Sequence, residues 1–256
     1  MWNKGIPLGN KGITRLLLRE NQRACPTYQV CIERESVPTV THNFDVLVEH
    51  LSIPSFSNDV SCFLYEVNYP GLQIPVTDIP LEYCPRYTGD IYVYPSANAI
   101  FHAPGDLSGV GGMLCEHIRS TSSWRKGPER QDCVYIVHDQ DLVGFQGLFV
   151  AQVQLFFKIK YNSIVYPCAW VLWFMPAGSE PCPDTGMWRV EPEFDESGER
   201  ATSVVPLDAI LRAAHLVGIT GEEFLPIDLK HTDSLTAFNS FYVNKFIDYH
   251  AHEIVF

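Results

Sequence analysis

The chain has 256 residues, 46% of them hydrophobic and 19% charged, which is enough apolar material to bury a core in one large domain or in one domain with a smaller appendage. Its 30 acids against 18 bases give a formal net charge of -12, and that excess excludes a general nucleic-acid coat, because neutralising phosphates takes Lys and Arg. No apolar run reaches bilayer length and no secretory leader pattern opens the chain, so a soluble intracellular protein with no membrane partner is expected.

Residues 1–41 mix Gly, Pro and basic side chains around one short apolar run and hold no sustained period, which predicts a loosely structured N-terminus. A helical segment and a Pro-rich linker are expected over 42–84. In HNFDVLVEHL, Phe44, Leu47, Val48 and Leu51 fall on one helical face. NDVSCFLYEV follows, with Asn58 or Asp59 as its cap, and NYPG stops it. Pro75, Pro80 and Pro85 mark the linker.

From Ile91 the pattern changes to strands: IYVY, NAIFHA and DCVYIV. In LFVAQVQLFFKIKY, Ala151, Val153, Leu155, Phe157 and Ile159 alternate with Gln and Lys positions, the period of a strand with one buried face. IVYPCAWVLWFMP is apolar on both faces and follows after only Asn162 and Ser163, so the pair reads as a long hairpin whose second strand is central. MWRVEPEF predicts another strand. The stretch 179–208 is acidic, with eight carboxylates against Arg189 and Arg200. Beyond it PLDAILRAAHLVGI and SLTAFNSFYVNKFIDYH carry helical spacing, the second through Leu235, Phe238, Tyr242, Phe246 and Tyr249, with Phe246 and Tyr249 anchoring a docked terminal helix. The fold class expected is α+β, with a β-rich domain over 85–256 built on the long hairpin and peripheral helices around it.

Chemistry-bearing motifs are few. EHIRSTSSWRKGPERQD gathers Arg119, Arg125, Lys126 and Arg130 beside Trp124, a basic and aromatic cluster in an acidic protein that suits phosphate or an acidic peptide. The bland alternative is a solvated loop whose Arg side chains pair with the acidic stretch. Asp248, His250 and His252 form a D-x-H-x-H string. In a helix these three cannot converge; in a strand His250 and His252 share a face, and His215 or His231 would have to complete a metal site. GDLSGVGGM lacks the lysine and hydroxyl of a phosphate loop and reads as a surface turn. Trp170, Trp173 and Trp188 suit a core better than an aromatic cage. The eight cysteines contain no C-x-x-C pair and read as thiols in a reducing compartment, and no nucleophile stands in a catalytic setting. No catalytic residue, metal or small-molecule cofactor is therefore assigned.

Longer strings carry a resemblance. YTGDIYVYPSANAIFHAPGDLSGVGGMLCEHIRSTSSWRKGPERQDCVYIV, YPCAWVLWF, DTGMWRVEPEF, VVPLDAILRAAHLVG and DSLTAFNSFYVNKFIDYHAHEIVF together resemble the C-terminal region of proteins encoded by Plavaka-type (CACTA-like) DNA transposons of mushroom-forming fungi, over about residues 42–256. The resemblance implies a piece of a transposase-like protein without its zinc finger or nuclease region, and a truncated or re-started reading frame. The order of DCVYIV, VAQV, AWVLWF, TGMW and VVPLDAIL also looks similar to a bromo-adjacent homology (BAH) module, a small β-barrel that reads chromatin. These likenesses imply a barrel-like core, a noncatalytic interaction module, a chromatin protein or DNA as partner, and a nuclear site of action. The rival readings are a metal-dependent hydrolase using Asp248, His250 and His252, and a transposon fragment with no selected function.

Overall fold

The computed structural model describes residues 28–32, 40–51, 54–71, 74, 76–107, 109–221 and 227–256. The elements in order are β1 (Tyr28–Cys31), β2 (Val40–Asn43), α1 (Phe44–Leu51), α2 (Pro54–Asn68), β3 (Asp90–Tyr94), β4 (Ser96–His102), β5 (Met113–Thr121), β6 (Arg130–Gln131) and β7 (Cys133–Val137). Then come β8 (Leu148–Tyr161), β9 (Ile164–Pro176), β10 (Arg189–Pro192), β11 (Thr202–Pro206), β12 (Ile210–Ala214), β13 (Leu216–Gly218), β14 (Phe241–Val243) and α3 (Tyr249–Val255). The fold is α+β and β-rich, with a nearly closed, barrel-shaped sheet and few helices. One sheet runs β1-β4-β5-β6. The larger one runs β12-β7-β8-β9-β10-β14-β13, with β11 also on β9 and the β2-β3 pair on β8. No helix among the described residues is long and apolar enough to cross a membrane.

The long hairpin forms as its sequence predicts. Asn162 and Ser163 turn with φ of 50° and 66°, the left-handed pair that matches the twist of two antiparallel strands. β9 is central, bonded to β8 on one side and to β10 and β11 on the other. The single buried face expected of β8 is corrected: its register slips between Val153 and Leu155, so two residues oppose one there and the alternation changes phase. Phe149, Ala151, Val153 and Phe156 therefore face the core between the two sheets. Phe157 and Ile159, with the half-buried Leu155, face a second core under the helices. Leu148 and Val150 enter a third, closed by β14 and α3. One strand thus serves three cores.

α1 and α2 lie on the hairpin, where Phe44, Phe56, Val60 and Leu64 meet Phe157, Cys168 and Trp170. α2 starts at Pro54, ahead of the expected cap, because Pro is pre-set for the first helical turn. Asn58 and Asp59 are consequently inside the helix, and Asp59 accepts hydrogen bonds from Trp170 Nε1 at 2.8 Å and Thr202 Oγ1 at 2.7 Å. The N-terminal segment contributes β1, paired with β4, and the start of β2; residues 1–27 and 33–39 lie outside the described residues.

Two helix expectations fail. PLDAILRAAHLVGI ends β11, makes a short 3-10 turn and forms β12 and β13. Its Ile210 and Leu211 enter different cores, and pairing with β7 overrides the helix preference of Leu, Ala and Arg. SLTAFNSFYVNKFIDYH is not one helix either. Phe241 and Val243 are buried about Tyr242 at strand period in β14, and helix begins only at Tyr249. Phe246 and Tyr249, expected as anchors, are each 60% exposed.

Candidate functional site

β5 pairs along its length with β4, and its end pairs with β6 through Ser120↔Gln131 and Thr121↔Arg130. The hairpin so formed carries Arg119 and Trp124–Arg130 at its tip. Its base is fastened to the bulge in β8: Ser120 Oγ donates to Gln154 O at 2.7 Å, and the Val153 N–H donates to Asp132 O at 3.0 Å. Asp132 closes the base from the other side. Its carboxylate accepts the Arg119 backbone N–H at 2.9 Å and Arg130 Nε at 2.8 Å.

The tip is a tight turn. Gly127 N–H donates to Trp124 O at 2.8 Å and Trp124 N–H donates to Pro128 O at 3.0 Å. Ser123 Oγ adds a bond to Gly127 O at 3.0 Å. Arg125 and Lys126 occupy the turn with φ of 51° and 64°, a left-handed conformation that costs a side-chain-bearing residue about 1 kcal/mol. Backbone strain of this kind gathers at functional positions.

The turn folds three guanidinium groups onto one indole. The Cζ atoms of Arg119, Arg125 and Arg130 lie 4.2, 5.3 and 5.8 Å from the Trp124 ring centroid. Each is within cation–π range. Burial first, and then the charge of Arg130, pull the Arg119 guanidinium below its ordinary range, with Asp132 opposing. Arg119 nevertheless stays charged. Lys126 and Arg125 are exposed. Of the pairings that the bland alternative assigned to the acidic stretch, that of Arg130 is made to Asp132, inside the hairpin. The five residues singled out by sequence, Arg119, Trp124, Arg125, Lys126 and Arg130, therefore stand together on one element. An ionic ligand would find several donors whose positions are already fixed by the indole, which lowers the ordering cost of binding.

Asp248, His250 and His252 are placed differently. Asp248 caps α3 by accepting the Ala251 N–H at 2.6 Å, and its two oxygens take Arg212 Nη1 at 2.8 Å and Nη2 at 2.6 Å. His250 stacks on Phe101 with centroids 4.4 Å apart, whereas His252 stacks on Phe256. His215 bonds Asn244, and the side chain of His231 lies outside the described residues. Among the described residues no three His, Cys, Asp or Glu side chains converge as metal ligands would. Trp170 and Trp173 are buried, with Nε1 atoms bonded to Asp59 and Ser203, and Trp188 stacks on Phe145.

Sequence reasoning missed three ionisable groups. Arg212 is 3% exposed and bridges Asp248 and Glu116. Burial pushes the Asp59 carboxyl up to about 6, against the bonds from Thr202 and Trp170. Hydrogen bonds from Thr185 and then Tyr242 bring the Cys182 thiol down to about 7. Only Arg212 left a signal, as a lone charge in an apolar run.

No protein-family model matches this chain, and no curated protein matches it.

Proposed function

We propose that the chain is a noncatalytic interaction module whose β5–β6 hairpin tip grips an acidic segment of a partner protein. The observation that carries this reading is the gathering of three guanidinium groups around Trp124 on a strained turn closed by the Gly127, Trp124 and Ser123 hydrogen bonds. The indole is already covered by cations, so a methylated lysine would meet like charge in place of a bare aromatic face. Carboxylates suit the tip, because Arg presents several donors in a fixed fork. A compact acidic segment suits it better than duplex DNA, whose phosphates would extend from the tip toward a chain of net charge -12.

Within the same reading, the module derives from a Plavaka-type transposon protein and acts on chromatin in the nucleus, in the manner of a BAH module. The quoted strings support the first part, and the barrel-shaped sheet with its long central hairpin supports the second. The test is binding of a twenty-residue polyglutamate peptide at rising salt, with a 20-base-pair duplex as comparison. Affinity for the peptide should fall steeply with salt. Replacing exposed Arg125 and Lys126 with Ala should weaken it about tenfold at low ionic strength, while the urea midpoint holds. Absence of binding at low salt, or indifference to the double substitution, removes the proposal; tighter binding of the duplex moves the partner class to DNA.

A further inference from the structure

A cleft of about 680 Å³ opens between the β4–β5 turn and α3, lined by His102, Pro104, Tyr249, His250, Glu253 and Ile254. It stands apart from the hairpin tip. His102↔Met113 and Ser96↔Arg119 are opposite ends of the β4–β5 ladder, about 20 Å apart at strand rise. The Tyr249 ring packs against Gly105, where a Cβ would fall 2.5 Å from Tyr249 Cδ1.

The chemistry of the cleft follows from Arg212 behind it. Nη1 serves Asp248 Oδ1 at 2.8 Å and His250 Nδ1 at 3.2 Å, and Nη2 serves Asp248 Oδ2 at 2.6 Å and Glu116 Oε1 at 3.3 Å. Arginine only donates, so Nδ1 of His250 must accept, and the proton of the neutral ring sits on Nε2. His250 is 8% exposed and lines the cleft, and among the described residues Nε2 has no partner. The cleft thus presents one N–H, on His250 Nε2, to a ligand that brings an acceptor. One turn along α3, Glu253 sets an exposed carboxylate on the same face.

That pair excludes most ligands. An anion is disfavoured because Asp106 already accepts the Tyr249 and His250 backbone N–H groups at 2.9 and 3.1 Å, and Asp248 accepts that of Ala251. Glu253 adds further negative charge. A metal ion would need the Nε2 lone pair that the proton occupies, and a simple amine would leave that proton unanswered. We propose that this cleft binds a neutral amide, whose carbonyl oxygen accepts from His250 Nε2 and whose N–H donates to Glu253, with Pro104 and Ile254 against its apolar flanks.

Nuclear magnetic resonance of the whole, 15N-histidine-labelled chain tests it with four probes: N-methylacetamide, acetamide, N,N-dimethylacetamide and sodium acetate. In the free protein His250 should carry its proton on Nε2. N-methylacetamide and acetamide should shift the Nε2 resonance saturably, and the tighter of the two distinguishes a peptide backbone from a carboxamide side chain. N,N-dimethylacetamide, lacking the N–H, should bind about fivefold more weakly, the worth of one hydrogen bond. Glu253→Ala, at an exposed position, should erase that difference. A proton on Nδ1, no saturable shift with either amide, acetate binding as tightly as the amides, or a difference that survives Glu253→Ala would each overturn the proposal.

Discussion

Asp59→Asn should make the protein more stable at neutral pH. Asp59 sits inside α2, and a single oxygen, Oδ2, accepts from both Trp170 Nε1 and Thr202 Oγ1. An Asn placing its carbonyl oxygen there keeps both bonds and removes the charge. Burial raises the carboxyl from an ordinary value of 3.8 to about 6. Between those limits the native state binds more protons than the unfolded chain, so stability falls as pH climbs from 4 to 6 and the full cost persists above. The interval, at about 1.36 kcal/mol per pH unit, amounts to about 3 kcal/mol, a large fraction of a typical stability. Urea midpoints of both proteins from pH 4 to pH 7.5 measure it. The two should nearly coincide at pH 4 and separate by about 2–3 kcal/mol at pH 7, with Asp59→Asn the more stable. A gap that does not change with pH, or a variant less stable at pH 7, would show that Asp59 is well solvated or that its charge is needed to hold α2 on β9 and β11.

Phe157 is fully buried beneath α2, edge-on to Phe56 at 5.4 Å, so Phe157→Ala should cost about 3–5 kcal/mol in urea denaturation; an unchanged midpoint would mean that the post-bulge register of β8 is wrong. Cys182, with its thiol near 7, should be alkylated by iodoacetamide at pH 7.5 about tenfold faster than exposed Cys115, while Cys133, pushed up to about 12 by burial, and buried Cys168 stay unlabelled until urea is added. Peptide mass mapping reads the order, and Cys115 labelling first would contradict the Thr185 and Tyr242 bonds to sulfur.

The parts of this fold that the sequence discloses are those in which one signal dominates locally. β8 alternates, β9 is apolar throughout, and Asn162 and Ser163 leave room for only a two-residue turn, so their pairing needs no distant information. The phase change at the bulge is invisible because Leu155, Phe156 and Phe157 are all apolar and any of them could face a core. The β12 region fails for the opposite reason. Leu, Ala and Arg favour helix locally, and the free edge of β7 that recruits the segment lies some seventy residues away. The hairpin tip was legible as a list of residues, since all five fall within twelve positions. Its geometry was not, because Arg119 and Arg130 reach the same indole only after β6 turns back on β5 and Asp132 fixes both. The cleft was least legible of all. Its donor depends on Arg212 and Asp248, 36 positions apart, and on Asp106, which holds Tyr249 across 143 positions.

The two left-handed turns built from residues other than glycine, among the described residues, supply a contrast that bears on function. At the β8–β9 turn the first position is Asn, a residue that tolerates positive φ, and the turn serves the central hairpin on which all three cores depend. At the β5–β6 tip the same backbone is occupied by Arg125 and Lys126, two long cations with no special tolerance for it, exposed and absent from every core. Asn and Gly would form this turn at lower cost. Folding therefore gives no reason for those identities, and placing like charges beside Arg119 and Arg130 adds repulsion as well as strain. A bound anion removes that repulsion, which is why the tip, and not the buried aromatic core, is where we place the partner.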